Sequence, residues 1–187
     1  MRDRLRMAGY AAAFLLQAGL LAGLVVDRAF LLETGTEIRL AVVPVDPRDL
    51  FRGDHVVLAT PLARIRTDSL AGDDAFTTGQ TIYLALARQD EGWRAVSVHA
   101  GRPSGPLVLR GRIVAPDAIA DCALPCRAYR VEYGLESFFV PEGRGRDLER
   151  LRSDERLEVD VAVAPSGRAA LKRLLLDGRT IYEADLF

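Results

Sequence analysis

The pattern of hydrophobic and polar positions changes once along the chain, after Glu33. Before it, residues 8–26 form an apolar run with no charged residue and one strongly polar side chain, Gln17. As a helix these nineteen residues would rise about 28 Å, close to the roughly 30 Å hydrocarbon core of a bilayer. The run therefore predicts one transmembrane anchor helix, preceded by a short cytoplasmic N-terminus over residues 1–7.

Beyond Glu33 apolar and polar residues alternate, which is the period of a half-buried β-strand. In residues 36–42, for example, Ile38, Leu40 and Val42 fall on one face. Asp177 and Gly178, between the runs at residues 169–176 and 180–182, are a strong hairpin signal. Further strand-like runs cover residues 55–59, 81–87, 94–98, 107–114, 129–140, 157–163, 169–176 and 180–182.

These elements predict a mainly β (α+β) fold, in which one N-terminal transmembrane helix is followed by a compact antiparallel β-rich domain over residues 36–187. The domain is expected to contain one short amphipathic helix, at residues 145–153. Residues 27–35 are interpreted as a juxtamembrane linker. Trp93 is expected to pack into the core, and Gly111 is expected to mark a β-bulge inside its strand.

The charges that flank the apolar run predict the orientation of the anchor. Three arginines precede the run, at positions 2, 4 and 6, whereas Asp27 and Arg28 follow it. The positive-inside rule then places the N-terminus in the cytoplasm and the domain on the periplasmic or extracellular side of the cytoplasmic (inner) membrane. A cleaved signal peptide is the alternative, but residues 25–30 lack small residues at both the −3 and −1 positions of a cleavage site, which favours an uncleaved signal anchor.

The charge balance gives no sign of a nucleic-acid partner. The chain has 25 basic and 26 acidic residues, and because residues 1–26 carry +2, residues 27–187 carry −3. A mildly acidic domain lacks the electrostatic footprint of a nucleic-acid-binding protein. The expected partner of residues 8–26 is the lipid bilayer, and the G-x-x-x-G spacing of Gly19 and Gly23 adds the hypothesis of a homodimer.

Two stretches of the domain are similar to one protein family. Residues 43–58, VPVDPRDLFRGDHVVL, resemble the signature region of the GDYxxLxY protein family, which is named for its Gly-Asp-Tyr motif. Gly53, Asp54 and Leu58 match that motif. At the two tyrosine positions of the family name, this chain has His55 and Thr60.

The second stretch, residues 133–149, reads YGLESFFVPEGRGRDLE and is similar to a Tyr-Gly and Phe-Val-Pro-Glu-Gly segment of the same family. The resemblance implies a membrane-anchored bacterial protein that accompanies a polytopic membrane protein, and it implies no particular activity. It also gives the candidate functional or fold-determining residues, which are Asp46, Arg48, Asp49, Gly53, Asp54, Tyr133, Glu142, Gly143 and Glu149.

The carboxylates of these two segments are the candidate chemistry. Paired carboxylates can act as general acid and base in a hydrolase, or bind a hard cation such as calcium. Helix capping accounts equally for Asp46, turn formation for Asp54 and pairing with arginine for Asp49, so a structural role is favoured. A serine hydrolase is not indicated, because the chain has no Gly-x-Ser-x-Gly elbow.

Cys122 and Cys126 form a C-x-x-x-C pattern. No second Cys or His pair lies nearby in the sequence to complete a zinc site, and the inferred compartment is oxidising. A local disulfide is therefore favoured over free or metal-bound thiols. The sequence predicts no metal site and no cofactor.

The function favoured by these observations is that of a membrane-anchored extracytoplasmic accessory or binding module, which works with a membrane partner and is not an enzyme. The alternative is a membrane-bound hydrolase that uses the carboxylates of the two signature segments.

Overall fold

One helix, α1, covers Arg2–Thr34 and enters the β-rich domain after a single residue, Gly35. The computed structural model describes residues 2–45, 55–89, 92–117, 127–139 and 157–184. Among these residues, α1 is the one helix that is long and apolar enough to cross a membrane, over Arg6–Thr34. Residues 27–34, which the sequence assigns to a linker, are the last two turns of this helix.

The described part of the domain consists almost entirely of strands and turns. Two single 3-10 turns, Pro61–Ala63 and Thr67–Ser69, lie between strands. The strands are β1 Thr36–Ala41, β2 Val43–Val45, β3 His55–Ala59, β4 Arg64–Arg66, β5 Ala71–Gly72, β6 Thr81–Gln89, β7 Gly92–His99, β8 Leu107–Asp117, β9 Ala128–Glu132, β10 Ser137–Phe139, β11 Leu157–Val163, β12 Ala169–Leu176 and β13 Arg179–Glu183.

The strands form three sheets. A four-stranded sheet has the order β1-β11-β12-β13, a six-stranded sheet has the order β4-β9-β8-β6-β7-β5, and a small sheet has the order β10-β3-β2. All pairs are antiparallel except the short β5–β7 pair. This topology confirms the prediction of an antiparallel, mainly β domain behind one N-terminal helix, while the short helix predicted at residues 145–153 lies outside the described residues.

The inner faces of the four-stranded and six-stranded sheets share one hydrophobic core. Ile38 and Leu40 of β1 and Val42, the residue after it, are all buried, as their alternation predicted. Trp93 packs against the same core, which confirms its predicted place. Full burial of one valine, leucine or isoleucine side chain stabilises the fold by about 1.5–3 kcal/mol. The largest fully buried side chains are Ile38, Ile82, Leu84, Leu109, Ile113, Leu174, Val98, Val131, Val159, Val161 and Val163.

Gly111 has a different role from the predicted bulge. It pairs regularly with Ile82 of β6, and the irregularity in β8 lies between Ile113 and Ala115, on the side that faces β9. A Cβ atom on Gly111 would lie 2.8 Å from Cε1 of Tyr133 and 2.5 Å from a methyl group of Val131. The glycine is therefore required because a ring packs directly on the backbone.

A buried carboxylate lies on the outer face of the four-stranded sheet. Asp160 of β11 is 1% exposed, and it stands between Arg39 of β1 and Arg173 of β12 in the strand register. Arg39 donates from Nε at 2.7 Å and from Nη2 at 3.0 Å, and Arg173 donates from Nε at 3.0 Å. Burial alone raises the pKa of Asp160, but the hydrogen bonds from both arginines outweigh it, so that the pKa lies below its ordinary value.

Replacing Asp160 with asparagine is expected to lower the free energy of unfolding by about 2 kcal/mol, because Arg39 and Arg173 lose a buried charged acceptor. Arg173 keeps its bond to Glu37. In the wild type, the folded-state pKa lies below the ordinary 3.8. The stabilisation is therefore complete above that pH and is lost as the pH falls through the folded-state pKa. Unfolding of the full-length protein in detergent micelles, followed across this pH range, measures both effects.

The matched control is Glu132→Gln, which alters an exposed strand carboxylate 3.8 Å from Arg112. Its expected effect is below about 0.5 kcal/mol. If Asp160→Asn and Glu132→Gln lowered the free energy of unfolding equally, the stabilising role of Asp160 would be contradicted. An unchanged pH dependence of unfolding in Asp160→Asn would contradict it as well.

Candidate functional site at the helix–domain junction

The last two turns of α1 pack on the four-stranded sheet. The exposure of apolar side chains along the helix falls from 66% at Phe30 to 5% at Leu31 and 7% at Leu32. The two leucines contact Ala162 of β11 and Ala170 of β12, whose small side chains let the helix approach the sheet closely. The end of α1 therefore belongs to the domain, whereas the preceding turns project from it.

Gly35 joins the helix to β1 without a spacer. Its N–H donates to the carbonyl of Leu31 at 3.0 Å. A Cβ atom at this position would lie 2.6 Å from the same carbonyl oxygen and 3.0 Å from Cβ of Ala162. Only glycine fits this contact, so the direction in which β1 leaves the helix is fixed by packing.

An ion pair holds the helix to the turn between β11 and β12. Nη1 and Nη2 of Arg168 donate to the two carboxylate oxygens of Asp27 at 2.6 and 2.7 Å. This two-point geometry fixes orientation as well as distance. The hydrogen bonds to Asp27 raise the pKa of the Arg168 guanidinium above its usual value.

The same turn, residues 164–168, is also tied to the six-stranded sheet. The N–H of Arg110 in β8 donates to the carbonyl of Gly167 at 2.8 Å, at a part of β8 that β9 does not pair with. Gly167 has a φ of +86°, and a Cβ atom there would lie 3.1 Å from the backbone nitrogen of Arg110. Glycine is thus required both by conformation and by space.

A half-open pocket of about 190 Å³ lies where these parts meet. Asp27, Arg28 and Leu31 of α1 form one wall, and the domain supplies the opposite wall. The domain residues are Arg110, Tyr133, Arg168 and Ala169. The pocket therefore exists only because helix and domain are joined.

The pocket is basic although the domain is acidic overall. It contains three guanidinium groups and one carboxylate, and that carboxylate is already paired with Arg168. Within the described ranges of the chain, the side chains of Arg28 and Arg110 have no hydrogen-bond or ion-pair partner. Two positive charges therefore remain to attract an anionic group.

Tyr133, one of the candidate residues of the sequence, is among the residues that line this pocket. Its hydroxyl donates to the carbonyl of Leu62 at 3.0 Å. Burial, with a smaller effect of the Glu136 carboxylate, raises the pKa of Tyr133 far above its usual value. The hydroxyl is therefore neutral and hydrogen-bonded within the domain, and the ring of Tyr133 packs on the backbone of Gly111.

The two signature segments adjoin in the small sheet. His55 of β3 pairs with Phe139 of β10, so a strand of the first segment lies beside a strand of the second. Their remaining candidates lie outside the described residues, and so do both cysteines. These are Asp46, Arg48, Asp49, Gly53, Asp54, Glu142, Gly143, Glu149, Cys122 and Cys126.

The residues of the junction pocket were not recognised as a site from the sequence. Asp27 and Arg28 served only as markers of membrane orientation, and Arg110 looked like any outward-facing strand residue. The partner of Asp27 lies 141 positions further along the chain, so no local pattern could have indicated the pair. The one available signal was the position of Asp27 and Arg28 directly after the apolar run.

The Asp27–Arg168 ion pair is expected to contribute a measurable coupling energy. In a double-mutant cycle of Asp27→Asn and Arg168→Gln, the unfolding free energies of the full-length protein in micelles should be non-additive by about 0.5–1 kcal/mol. Arg102 is exposed and does not line the pocket, so the cycle of Asp27→Asn with Arg102→Gln should be additive. Additivity in both cycles would show that the ion pair contributes nothing.

Comparison with known proteins identifies the family of this chain. Neither the curated proteins nor the solved structures contain a significant match. A family model described as GDYXXLXY protein matches residues 17–174, which include the end of the apolar helix, all of the pocket and both signature segments. The chain therefore belongs to the GDYXXLXY protein family.

Proposed function

We propose that this GDYXXLXY protein is a single-pass protein of the cytoplasmic membrane that holds its β domain at the extracytoplasmic surface, as an accessory or binding module for a membrane partner. The N-terminus would lie in the cytoplasm. The observation that carries the proposal is the junction, where α1 enters the domain through Gly35 alone and is fixed to it by the Asp27–Arg168 ion pair. A domain joined in this way keeps one height and orientation above the bilayer.

The length of α1 fits this arrangement. Its 33 residues rise about 50 Å, whereas roughly 20 residues are enough to cross the hydrocarbon core. If residues 8–26 span, the turns from Asp27 to Thr34 stand above the hydrocarbon layer. These are the turns that contact the domain.

The exposed apolar surface of α1 supports a partner in the membrane as well as lipid. Large apolar side chains such as Phe14, Leu16 and Leu20 are 71%, 67% and 64% exposed. A Cβ atom added to Gly19 or Gly23 would have no neighbouring atom within 4 Å, so the two glycines leave a smooth strip on which a second helix can pack closely. The second helix would come from a polytopic partner or from another copy of this chain.

Two carboxylates of the described domain, Asp68 and Asp160, have a structural role as ion-pair acceptors. The pKa of Asp68 is lowered by its hydrogen bonds to Arg66, and that of Asp160 is lowered by its arginine partners. A carboxylate held in its ionised form is a poor general acid, which needs a raised pKa. Asp160 instead accepts hydrogen bonds from a neighbouring strand, and Asp68 accepts them from Arg66, two positions before it.

A membrane-bound hydrolase remains the second candidate, and one observation favours it. The β3–β10 pair places a strand of each signature segment side by side in one sheet. A cleft with carboxylates from both segments, such as Asp54 and Glu142, is the arrangement that acid–base hydrolysis would need.

The membrane arrangement is tested by fusing reporter proteins after Phe187. Alkaline phosphatase, which matures outside the cytoplasm, is expected to be active in intact bacterial cells, whereas a fluorescent protein that matures in the cytoplasm should stay dark. A bright fluorescent fusion would refute the topology.

The membrane partner is tested by a photocrosslinking residue in place of Leu20, which lies on the exposed apolar surface of α1. Illumination should give an adduct with a polytopic membrane protein or a homodimer. A purely monomeric band would refute helix pairing.

The two candidate functions separate in the variants Asp54→Asn and Glu142→Gln. A binding module should keep its Leu20 crosslink in both variants when the unfolding temperature is unchanged. A hydrolase should keep the fold and lose turnover, so hydrolysis by the wild type that disappears in both variants would replace the accessory role.

A further inference from the structure

We propose that the junction pocket binds the phosphate group of an anionic phospholipid, with Arg28 and Arg110 as its ligands. The inference rests on the proposed function in one respect, namely that α1 spans the bilayer. It adds a ligand class and a site to that function. Its evidence is the depth, charge and size of the pocket.

The depth of the pocket matches the headgroup layer. Asp27 is the first charged residue after the apolar run, and each helical residue adds about 1.5 Å along the axis. The helical wall of the pocket, from Asp27 to Leu31, therefore covers about 6 Å, similar to the roughly 5–8 Å headgroup layer on each side of the hydrocarbon core. Because Arg168 is hydrogen-bonded to Asp27, the domain wall of the pocket lies at the same depth relative to the bilayer as the helical wall.

The charges favour an anionic headgroup over a zwitterionic one. Arg168 already donates two hydrogen bonds to Asp27, so its positive charge is compensated. Among the described residues, Arg28 and Arg110 have no carboxylate partner, so their positive charges are not compensated. A guanidinium group presents a planar set of donors that fits two phosphate oxygens at once.

The size and lining of the pocket fit a headgroup phosphate. The volume of about 190 Å³ is several times the roughly 30 Å³ share of one water molecule, and it is smaller than the roughly 300–1,000 Å³ pockets that enclose drug-sized ligands. Leu31 and Ala169 give the lining an apolar part, which suits the glycerol and the start of the acyl chains. Phosphate oxygens would face Arg28 and Arg110, and carbon atoms would face Leu31 and Ala169.

The test uses the full-length protein in nanodiscs that contain phosphatidylcholine and phosphatidylglycerol, followed by native mass spectrometry of the lipids that it retains. The wild type is expected to retain phosphatidylglycerol preferentially. Arg28→Gln and Arg110→Gln should each reduce this preference about tenfold, which is the effect of losing one charge-assisted contact. Both side chains are exposed, so the unfolding temperature of the variants should stay unchanged.

The matched control is Arg102→Gln, which removes an exposed arginine that does not line the pocket. Equal retention of both lipids by the wild type, or the same loss in Arg102→Gln, would overturn the inference. A second arm adds inorganic phosphate to protein in a non-ionic detergent. Stabilisation by phosphate without any lipid preference would assign the pocket to a soluble phosphate and would overturn its assignment to a lipid.

Failure of this inference is distinguishable from failure of the proposed function. If the protein inserts into nanodiscs of phosphatidylcholine with its domain folded but shows no preference for phosphatidylglycerol, only the lipid site is refuted. If the protein does not insert, the membrane arrangement itself is refuted.

Discussion

The turn between β11 and β12 is the point on which the arrangement of helix and domain depends. Its Arg168 side chain binds Asp27 of α1, and the carbonyl of Gly167 accepts a hydrogen bond from β8. Five residues thus connect α1, the four-stranded sheet and the six-stranded sheet. An exposed ion pair alone stabilises a protein by at most about 1 kcal/mol. The joint is firm because backbone hydrogen bonds and buried leucines act together with it.

Small residues make this joint possible. Gly35, Ala162 and Ala170 remove the side-chain volume that would hold the helix away from the sheet, and Gly167 does the same between the turn and β8. Close packing of this kind has little tolerance for added atoms. The junction is therefore a packed interface that determines the direction of the helix, and a flexible tether would need none of these contacts.

The sequence predicted the elements well, and it predicted their assembly poorly. Alternation identified the strands, since Ile38, Leu40 and Val42 face a core in the structure, and the Asp-Gly hairpin is formed with positive φ angles at Asp177 and Gly178. The burial of Asp160 was missed, because a charged residue in an alternating strand normally faces solvent. The role of Gly111 was also missed. A glycine inside a strand suggested a bulge, whereas its actual constraint is the ring of Tyr133, which comes from another segment of the chain.

The candidate site shows the same division. A family resemblance identified Tyr133 and the two signature segments, yet the pocket that Tyr133 lines is built from residues that no motif contains. Asp27, Arg28, Arg110 and Arg168 come from a helix, a strand and a turn, and only the fold brings them together. Their meeting depends on the helix continuing past the apolar run, which hydropathy alone did not indicate.

We infer that α1 and the domain form one rigid unit, and pulsed electron paramagnetic resonance can measure this rigidity. Genetically encoded spin labels at the exposed positions Arg6 and Ser104 would report the distance from the start of α1 to the domain in nanodiscs. A rigid junction predicts one narrow distance distribution that broadens when Asp27→Asn and Arg168→Gln are combined. A broad distribution in the otherwise unchanged protein would contradict the claim and make α1 a flexible tether.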